Sequence, residues 1–337
     1  MSKKELVLRA LNNETPERVP VGFWLHYLKD ELEDLFKNPG LLDINLAGHK
    51  KFYNEVKPDF LKIMTDGFFM YPNEIFLNAS KVSELKNIAS IGEHHPWIEK
   101  QVEFAKTLTA QFGGEVLTFY NIFSPATIFR FGRLNKPGVS PGALLADFIA
   151  EDKETVIRAM NTAAGDLAVL ARRVISEAGV DGLYYSSQDV NDPRVTGALH
   201  AEVIAPADFK VLEAAKTAAK GRGCYNILHI CGYAGHRNNL SHFAEYPVQV
   251  FNWASTVEGV SLKEGKKLFG CKPVIGGFDN TVDGVLYKGT RAEIEAETER
   301  LIKDVGKAGV ILGADCTIPR DTDLQHLQWI RDKAAAL

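Results

Sequence analysis

Residues 307–313 of the chain are Lys-Ala-Gly-Val-Ile-Leu-Gly, and residues 177–183 are Glu-Ala-Gly-Val-Asp-Gly-Leu. In both stretches a glycine follows a helical pattern and precedes a short apolar run. Glycine is the usual residue at the C-terminal end of a helix. A helix that leads directly into a buried strand is the repeating element of α/β proteins with parallel sheets. Both stretches therefore predict βα units.

The same pattern recurs along the whole chain. Short apolar runs rich in β-branched or aromatic residues predict eight strands, at 21–25, 60–64, 116–123, 182–185, 225–230, 248–253, 273–276 and 310–312. Helical periodicity is clear at 153–178, 206–220 and 290–308. Eight such units favour a closed barrel over an open sheet. We predict an α/β protein with one (β/α)8 TIM-barrel domain over 1–337, an N-terminal helix, and a helical elaboration around 68–115.

The composition is that of an ordinary globular protein and excludes several functional classes. The 337 residues have a formal net charge of −4 with 45% hydrophobic and 24% charged residues, and the basic residues do not cluster. We therefore expect no nucleic-acid partner. No apolar stretch is long enough to span a membrane. The N-terminus lacks the apolar segment of a secretory signal, and the four cysteines show no disulfide spacing, so we expect a cytoplasmic protein.

A histidine and two cysteines at strand ends form the strongest candidate site. His229 and Cys231 close the fifth predicted strand, and Cys316 follows the eighth. The C-terminal strand ends of a barrel meet at one face, where the chemistry of such proteins is found. One imidazole and two thiolates suit a zinc ion that keeps its fourth position for a substrate. The alternative is that the cysteines are small buried apolar residues and His229 is a hydrogen-bonded core residue.

Further polar residues at predicted strand ends are expected to converge on the same face. The candidates for catalysis are Asp66, Tyr185 and Asp279, and those for substrate binding are His26, Asp189, Asn252 and Arg320. The carboxylates have an alternative role as helix caps, and Tyr185 as a packing residue. Asp315, next to Cys316, is a candidate to orient His229 by accepting its second N–H.

The chain resembles the uroporphyrinogen decarboxylase superfamily over essentially its whole length. The resemblance is carried by Glu17-Arg18-Val19-Pro20-Val21, Lys62-Ile63-Met64-Thr65-Asp66 and Gly276-Gly277-Phe278-Asp279-Asn280. It implies a (β/α)8 barrel and leaves two branches open. The cofactor-free decarboxylases hold a tetrapyrrole with two arginines after the first strand, an Asp after the second and a Tyr after the third. Asp66 matches that Asp, but residues 23–29 contain no arginine, and Phe131 falls near the tyrosine position.

The other branch comprises zinc-dependent, corrinoid-linked methyltransferases similar to methylcobalamin:coenzyme M methyltransferase. His229, Cys231 and Cys316 match all three of that branch's zinc ligands. The resemblance implies Zn²⁺ as cofactor, a methylcorrinoid as methyl donor, a corrinoid protein as a possible partner beside the small-molecule substrate, and a homodimer as a possible assembly. The carboxylate expected as fourth ligand is missing from residues 251–255. We predict a methyltransferase, with decarboxylation of uroporphyrinogen or another carboxylate-rich substrate as the alternative.

Overall fold

Seven parallel strands form one sheet in which the strands follow chain order. The structure, a computed structural model, describes residues 1–134 and 136–337. The strands are β1 Phe60–Ile63, β2 Leu117–Phe123, β3 Gly182–Ser187, β4 Ile227–Ile230, β5 Val250–Trp253, β6 Val274–Phe278 and β7 Val310–Ala314. Nearly all of their residues are buried. Burial on both faces is typical of parallel sheets covered by helices and explains why the strands are apolar runs.

Helices connect and cover the strands. They are α1 Lys3–Leu11, α2 Gly40–Val56, α3 Glu74–Asn78, α4 Pro96–Phe112, α5 Pro125–Phe131, α6 Pro141–Ser176, α7 Gly197–Leu199, α8 Ala205–Ala218, α9 Ser255–Glu258, α10 Leu262–Leu268, α11 Val285–Lys288, α12 Arg291–Val305 and α13 Leu324–Ala336. A π-helical turn occupies His200–Ile204, and 3-10 helices occupy Val82–Asn87, Tyr233–Gly235 and Leu240–Phe243. Within the described ranges, none of the helices combines the length and apolarity needed to cross a bilayer.

Local signals in the sequence set the helix ends. α12 starts with a capping box, in which Thr290 Oγ1 accepts from the Glu293 N–H and the Glu293 carboxylate accepts from the Thr290 N–H. Gly179 and Gly309, which precede β3 and β7, have φ angles of +76° and +64°. These angles lie in the left-handed region that glycine adopts without steric cost. Gly179 lies two residues after Glu177, the C-cap of α6. The prediction for the other stretch is wrong in its position, because α12 ends at Val305 with Gly306 as its C-cap and Gly309 lies in the turn before β7.

The predicted strand over residues 21–25 is not a strand in the structure. The segment runs beside β7 and makes only isolated parallel bridges, to Leu312 and Ile318. On the side of β1, the Asp59 carboxylate accepts the Val21 N–H at 2.7 Å. The carboxylate accepts the hydrogen bond that a carbonyl oxygen of a paired strand would accept. A regular ladder of backbone hydrogen bonds between this segment and β1 therefore does not form. The sheet therefore has seven strands, and the predicted closed eight-stranded barrel is not confirmed.

The interior of the sheet holds an apolar core that α1 closes at the N-terminal ends of the strands. The inner cluster consists of Val7, Ala10, Leu11, Trp24, Phe60, Met64, Leu117, Phe119, Tyr184, Ile227, Val250, Ile275 and Ile311. A larger cluster lies between the outer face of the sheet and the helices. With one end filled by this core, the open space lies at the C-terminal strand ends.

Close packing at the start of β3 makes Gly182 a sensitive position. A Cβ atom there would lie 2.1 Å from the carbonyl oxygen of Tyr225, a backbone atom that cannot rotate away. We expect Gly182→Ala to destabilise the protein by about 1–3 kcal/mol, the usual cost of overpacking a core. Gly114→Ala is the control, because a Cβ at Gly114 meets no atom within 4 Å. Thermal unfolding at one scan rate compares the variants, and an equal Tm for both would contradict this account.

Candidate active site

His229, Cys231 and Cys316 lie together at the C-terminal end of the sheet. The Sγ atoms of Cys231 and Cys316 are 3.7 Å apart, and Cys316 Sγ is 3.5 Å from His229 Nε2. His229 and Cys316 are each 2% exposed, and Cys231 is partly exposed at the cavity described below. The structure thus brings together the three predicted zinc ligands.

Asn252 on β5 sets the orientation and the tautomer of His229. Its Nδ2 donates to the carbonyl oxygens of Ile275 and Ala314, at 2.9 Å and 3.3 Å. The amide oxygen therefore faces His229 Nδ1 and accepts its N–H, together with the Tyr184 hydroxyl at 3.1 Å. With the proton on Nδ1, the lone pair of Nε2 points toward the sulfurs. Such a partner for the second ring nitrogen is characteristic of metal-binding histidines.

A hydrogen bond between the two cysteine sulfurs shifts their pKa values in opposite directions. This hydrogen bond, in which either sulfur can be the donor, lowers the pKa of Cys231 below its ordinary value. The same hydrogen bond, together with burial, raises the pKa of Cys316. Lys62 on β1 adds a positive charge to their surroundings, although burial lowers its pKa to about 8. Its ammonium group lies over the rings of Tyr184 and Trp24, at 4.2 Å and 4.8 Å from the ring centroids.

A cavity of about 140 Å³ opens directly onto the three ligands. Its lining includes the apolar side chains of Met64, Phe69, Phe123 and Phe131 and the polar side chains of Lys62, Arg130, Gln188 and His26. Arg130 donates to Gln188 Oε1, and Gln188 Nε2 donates to the carbonyl oxygen of Cys231 at 3.3 Å. The cavity therefore combines two cationic side chains with a mostly apolar surface beside the sulfurs.

His26 and Asp66 form an ion pair at the edge of this cavity. His26 Nδ1 lies 2.8 Å from Asp66 Oδ1, and Asp66 Oδ2 accepts the N–H groups of Tyr27 and Leu28. Burial favours the neutral form of His26, but the Asp66 carboxylate outweighs it and raises the pKa of His26. His26 lines the cavity, whereas Asp66 is buried behind it. Asp66 thus acts on the cavity through His26.

Asp66→Asn is expected to lower the pKa of His26. The imidazolium loses the carboxylate that stabilises it, while burial still favours the neutral ring. In the unmodified protein the ring should titrate above the ordinary histidine value of about 6.5, and in the variant below it. The histidine NMR signals measured against pH report both values. The exposed His94 serves as an internal control, and an unchanged His26 titration would contradict the assignment.

Besides the buried Asp66, five of the predicted site residues do not line the cavity. Tyr185 points to the outer side of β3, where its hydroxyl donates to Asp208, a carboxyl group whose pKa burial raises to about 7. Asp189 accepts the Val190 N–H and pairs with His242. These contacts replace the catalytic and substrate-binding roles predicted for Tyr185 and Asp189.

Two more lie in a turn or at the rim, and the fifth is buried behind His229. The Asp279 carboxylate accepts the Thr281 N–H at 2.8 Å and closes a turn, so it is not placed for catalysis. Arg320 donates to the carbonyl oxygen of Leu28 and lines a broader outer depression. Asn252 is fully buried and supports His229 instead of contacting substrate.

Asp315 does not support His229 as predicted. Its carboxylate accepts from the Ser255 hydroxyl at 2.6 Å and from the Thr256 N–H at 2.7 Å. It therefore caps the start of α9. Lys62, Arg130 and Gln188 are the cavity residues that the sequence analysis missed. Lys62 carries a recognisable signal, because a lysine inside an apolar buried strand is rare and usually has a partner or a function.

Comparison with known proteins places this arrangement in a family. The sequence model of the family described as uroporphyrinogen decarboxylase (URO-D) matches residues 62–336. The chain belongs to the URO-D family. The resemblance found in the sequence is thereby confirmed. No curated protein matches the chain significantly.

Solved structures share the fold of this URO-D family member. A methyltransferase from Methanosarcina mazei is 16% identical, with a TM-score of 0.70 over 100% of this chain and 99% of that one. A B12-independent methionine synthase from Shewanella sp. W3-18-1, in complex with selenomethionine, is 15% identical, with a TM-score of 0.52 over 96% of this chain and 94% of that one. At these identities the likeness concerns the fold.

Proposed function

We propose that this URO-D family protein transfers a methyl group to or from a thiol sulfur, with a zinc ion held by His229, Cys231 and Cys316. The spacing of the three ligand atoms carries the proposal. A tetrahedral zinc with Zn–S bonds of ~2.3 Å and Zn–N bonds of ~2.05 Å holds two sulfurs ~3.8 Å apart, and a sulfur and a nitrogen ~3.6 Å apart. The corresponding distances here are 3.7 Å and 3.5 Å.

One imidazole and two thiolates suit a zinc ion that binds and activates a substrate thiol. When bound, zinc would deprotonate a substrate thiol and leave its sulfur able to attack a methyl carbon. The two cysteine thiolates and the neutral His229 supply two negative charges, which balance the cation before the substrate arrives. Among the described residues, the cluster contains three ligands. The cavity beside them leaves room for the substrate sulfur as the fourth.

The cavity residues suggest the class of thiol. Lys62 and Arg130 outnumber the one carboxylate that lines the same small, largely apolar space, Glu31, so we infer a compact thiol with an anionic group. Phe69 and Phe131 make the part of the wall that they line apolar. The Asp66 carboxylate raises the pKa of His26 and so favours the charged ring at the cavity edge, where it can pair with the same anionic group.

In this proposal the methyl donor is a methylcorrinoid carried by a separate protein. The cavity opens into an outer depression lined by Tyr233, Val282 and Arg320, among other residues. Tyr233 and Val282 are large apolar residues that are 50% and 54% exposed. These two exposed apolar side chains, in a depression that also contains polar and charged residues, suit contact with a bulky carrier. The methyltransferase and the methionine synthase with the same fold support methyl transfer as the reaction class.

Decarboxylation of a tetrapyrrole has less support. The Asp66 carboxylate is already paired with His26 and two backbone N–H groups and does not reach the cavity. The cavity of about 140 Å³ is smaller than the ~300–1,000 Å³ typical of pockets for drug-sized ligands. A porphyrinogen with eight carboxylates would also require more cationic partners than Lys62 and Arg130.

A methyl-transfer assay tests the proposal. Protein of known zinc content is mixed with free methylcobalamin and a panel of small thiols, with and without an anionic group. The absorbance of methylcobalamin and the mass of the methyl thioether report turnover. We expect transfer to an anionic thiol that stops on chelation and returns when zinc is added. Release of CO₂ from uroporphyrinogen by the chelated protein, or methyl transfer that is insensitive to zinc removal, would overturn the proposal.

A further inference from the structure

We propose that Asp189, His200 and His242 form a second metal site, which binds a divalent transition-metal cation such as zinc or cobalt. The three residues come from the loop after β3, the π-helical turn and the 3-10 helix at Leu240–Phe243. One ligand atom from each lies within 4.8 Å of the other two. Two imidazoles and a carboxylate are a donor set that first-row divalent metals bind well.

Burial separates this cluster from ordinary surface groups. Asp189 is 7% exposed, His200 is 1% exposed and the side chain of His242 is 8% exposed. Within the described residues, neither ring nitrogen of His200 has a hydrogen-bond partner. The ring packs against Phe243 and Tyr246, with centroids 5.2 Å and 6.1 Å away, and against His242 at 5.0 Å. An unpartnered buried imidazole requires an explanation, and a cation on its lone pair supplies one.

The backbone already orients the carboxylate of the cluster. Asp189 Oδ1 accepts the Val190 N–H at 3.0 Å, and Oδ2 accepts the Asn239 N–H at 3.1 Å. Each oxygen keeps lone-pair capacity for a further partner. The gap of 3.1 Å between Oδ1 and His242 Nδ1 is close to the separation of two oxygen or nitrogen ligands that share one cation. Asp189 is thus oriented before any metal binds.

Metal binding through His242 Nδ1 requires the ring proton to move, and the Asn239 side chain must give up its two bonds from Ser241 to accept that proton. Asn239 Oδ1 accepts from the N–H and hydroxyl of Ser241, so its Nδ2 faces His242 Nε2 at 3.0 Å. In the metal-free state the ring proton therefore sits on Nδ1 and bonds Asp189. When a cation takes that position, the proton moves to Nε2. The exposed Asn239 amide then rotates and accepts it with the carbonyl oxygen.

The site would stabilise the loop that carries a ligand of the first site. Asn238 Oδ1 accepts the Asp189 N–H at 2.8 Å, and Asn238 Nδ2 donates to the carbonyl oxygen of Cys231 at 3.2 Å. A cation on Asp189 and His242 therefore fixes both ends of the segment that follows Cys231. None of its three ligands lines the main cavity. We assign it a structural role that does not depend on the proposed methyl transfer.

Cobalt titration of a cysteine-free first site tests the assignment. The full-length Cys231→Ser/Cys316→Ser variant is stripped with a chelator and titrated with Co²⁺ alone. We expect one bound equivalent, with visible d–d bands and without thiolate-to-cobalt charge-transfer absorption. Adding His200→Phe, which keeps a ring among Phe243 and Tyr246, should remove that equivalent. Adding His94→Gln, at an exposed histidine, should leave it unchanged.

Two outcomes would overturn the second site. One is no Co²⁺ binding in the cysteine variant, and the other is equal binding after His200→Phe. Asp189→Asn provides a second ligand variant if His200→Phe does not fold, as judged by circular dichroism. Loss of all bound metal in the cysteine variant contradicts this inference and leaves the proposed function intact. Loss of only one of two equivalents supports both sites.

Discussion

Cys316→Ser is expected to remove the zinc ion that we propose His229 and the two cysteines bind, and to abolish the proposed methyl transfer with it. A serine hydroxyl stays protonated at neutral pH and is a poorer zinc ligand than a thiolate. The fall in zinc affinity should exceed the ~10–100-fold that loss of an outer-shell partner typically costs. Zinc content after dialysis should be one equivalent lower than in the unmodified protein, and methylcobalamin should no longer be consumed.

The other cysteines provide the controls for this variant. Cys271 is exposed and Cys224 is partly buried outside the cavity, so Cys271→Ser and Cys224→Ser should keep both zinc and activity. If Cys316→Ser retained its full zinc content, the cysteine would be a packing residue. The function proposed above would then lose its main support.

Asn252→Leu is expected to weaken zinc binding and to destabilise the fold at the same time. The variant leaves His229 Nδ1, the Tyr184 hydroxyl and two backbone carbonyls without their partner. Zinc affinity should fall by ~10–100-fold. The free energy of unfolding should fall by about 1–3 kcal/mol for each buried group left unpaired. Competition with a chromogenic chelator measures the first quantity, and urea unfolding measures the second.

Asn226→Leu is the control that separates the loss of zinc affinity from the loss of folding stability. Asn226 is also a buried asparagine next to β4, where it accepts the Leu183 N–H and donates to the carbonyl oxygen of Leu212, both at 3.1 Å. It has no contact with His229, so this variant should lose stability and keep its zinc affinity. Equal zinc affinity in Asn252→Leu and Asn226→Leu would show that Asn252 has only a structural role.

The strands were predictable because each is a continuous apolar run that follows a helix end. The exception, residues 21–25, shows where such reasoning stops. The run has the composition of a strand, but the Asp59 carboxylate accepts the hydrogen bond from the Val21 N–H, which a carbonyl oxygen of a neighbouring strand would otherwise accept. Arg18 holds that carboxylate with two bonds of 2.7 Å. Pairing between a side chain and a distant backbone group leaves no periodic signal in a sequence.

The candidate site was predictable to the extent that strand alternation determines it. Successive side chains of a strand point to opposite faces of the sheet. His229 and Cys231 are two residues apart, so both face the interior. Tyr184 also faces the interior, and its neighbour Tyr185 points outward. Applied strictly, the same rule excludes Tyr185 from the site. The roles of Asn252 and Asp315 depend on partners from other strands and loops. Their amide and carboxylate groups form hydrogen bonds with backbone atoms that are distant in the sequence and come close only in the folded chain.

Anomalous diffraction at the zinc edge, from crystals of the zinc-loaded protein, tests the central claim most directly. The account predicts a peak ~2.3 Å from the Sγ atoms of Cys231 and Cys316 and ~2.0 Å from His229 Nε2. Soaking with the substrate thiol should add a third sulfur at the same metal. A map without a peak between these three atoms, or with the two sulfurs joined in a disulfide of ~2.05 Å, would contradict it.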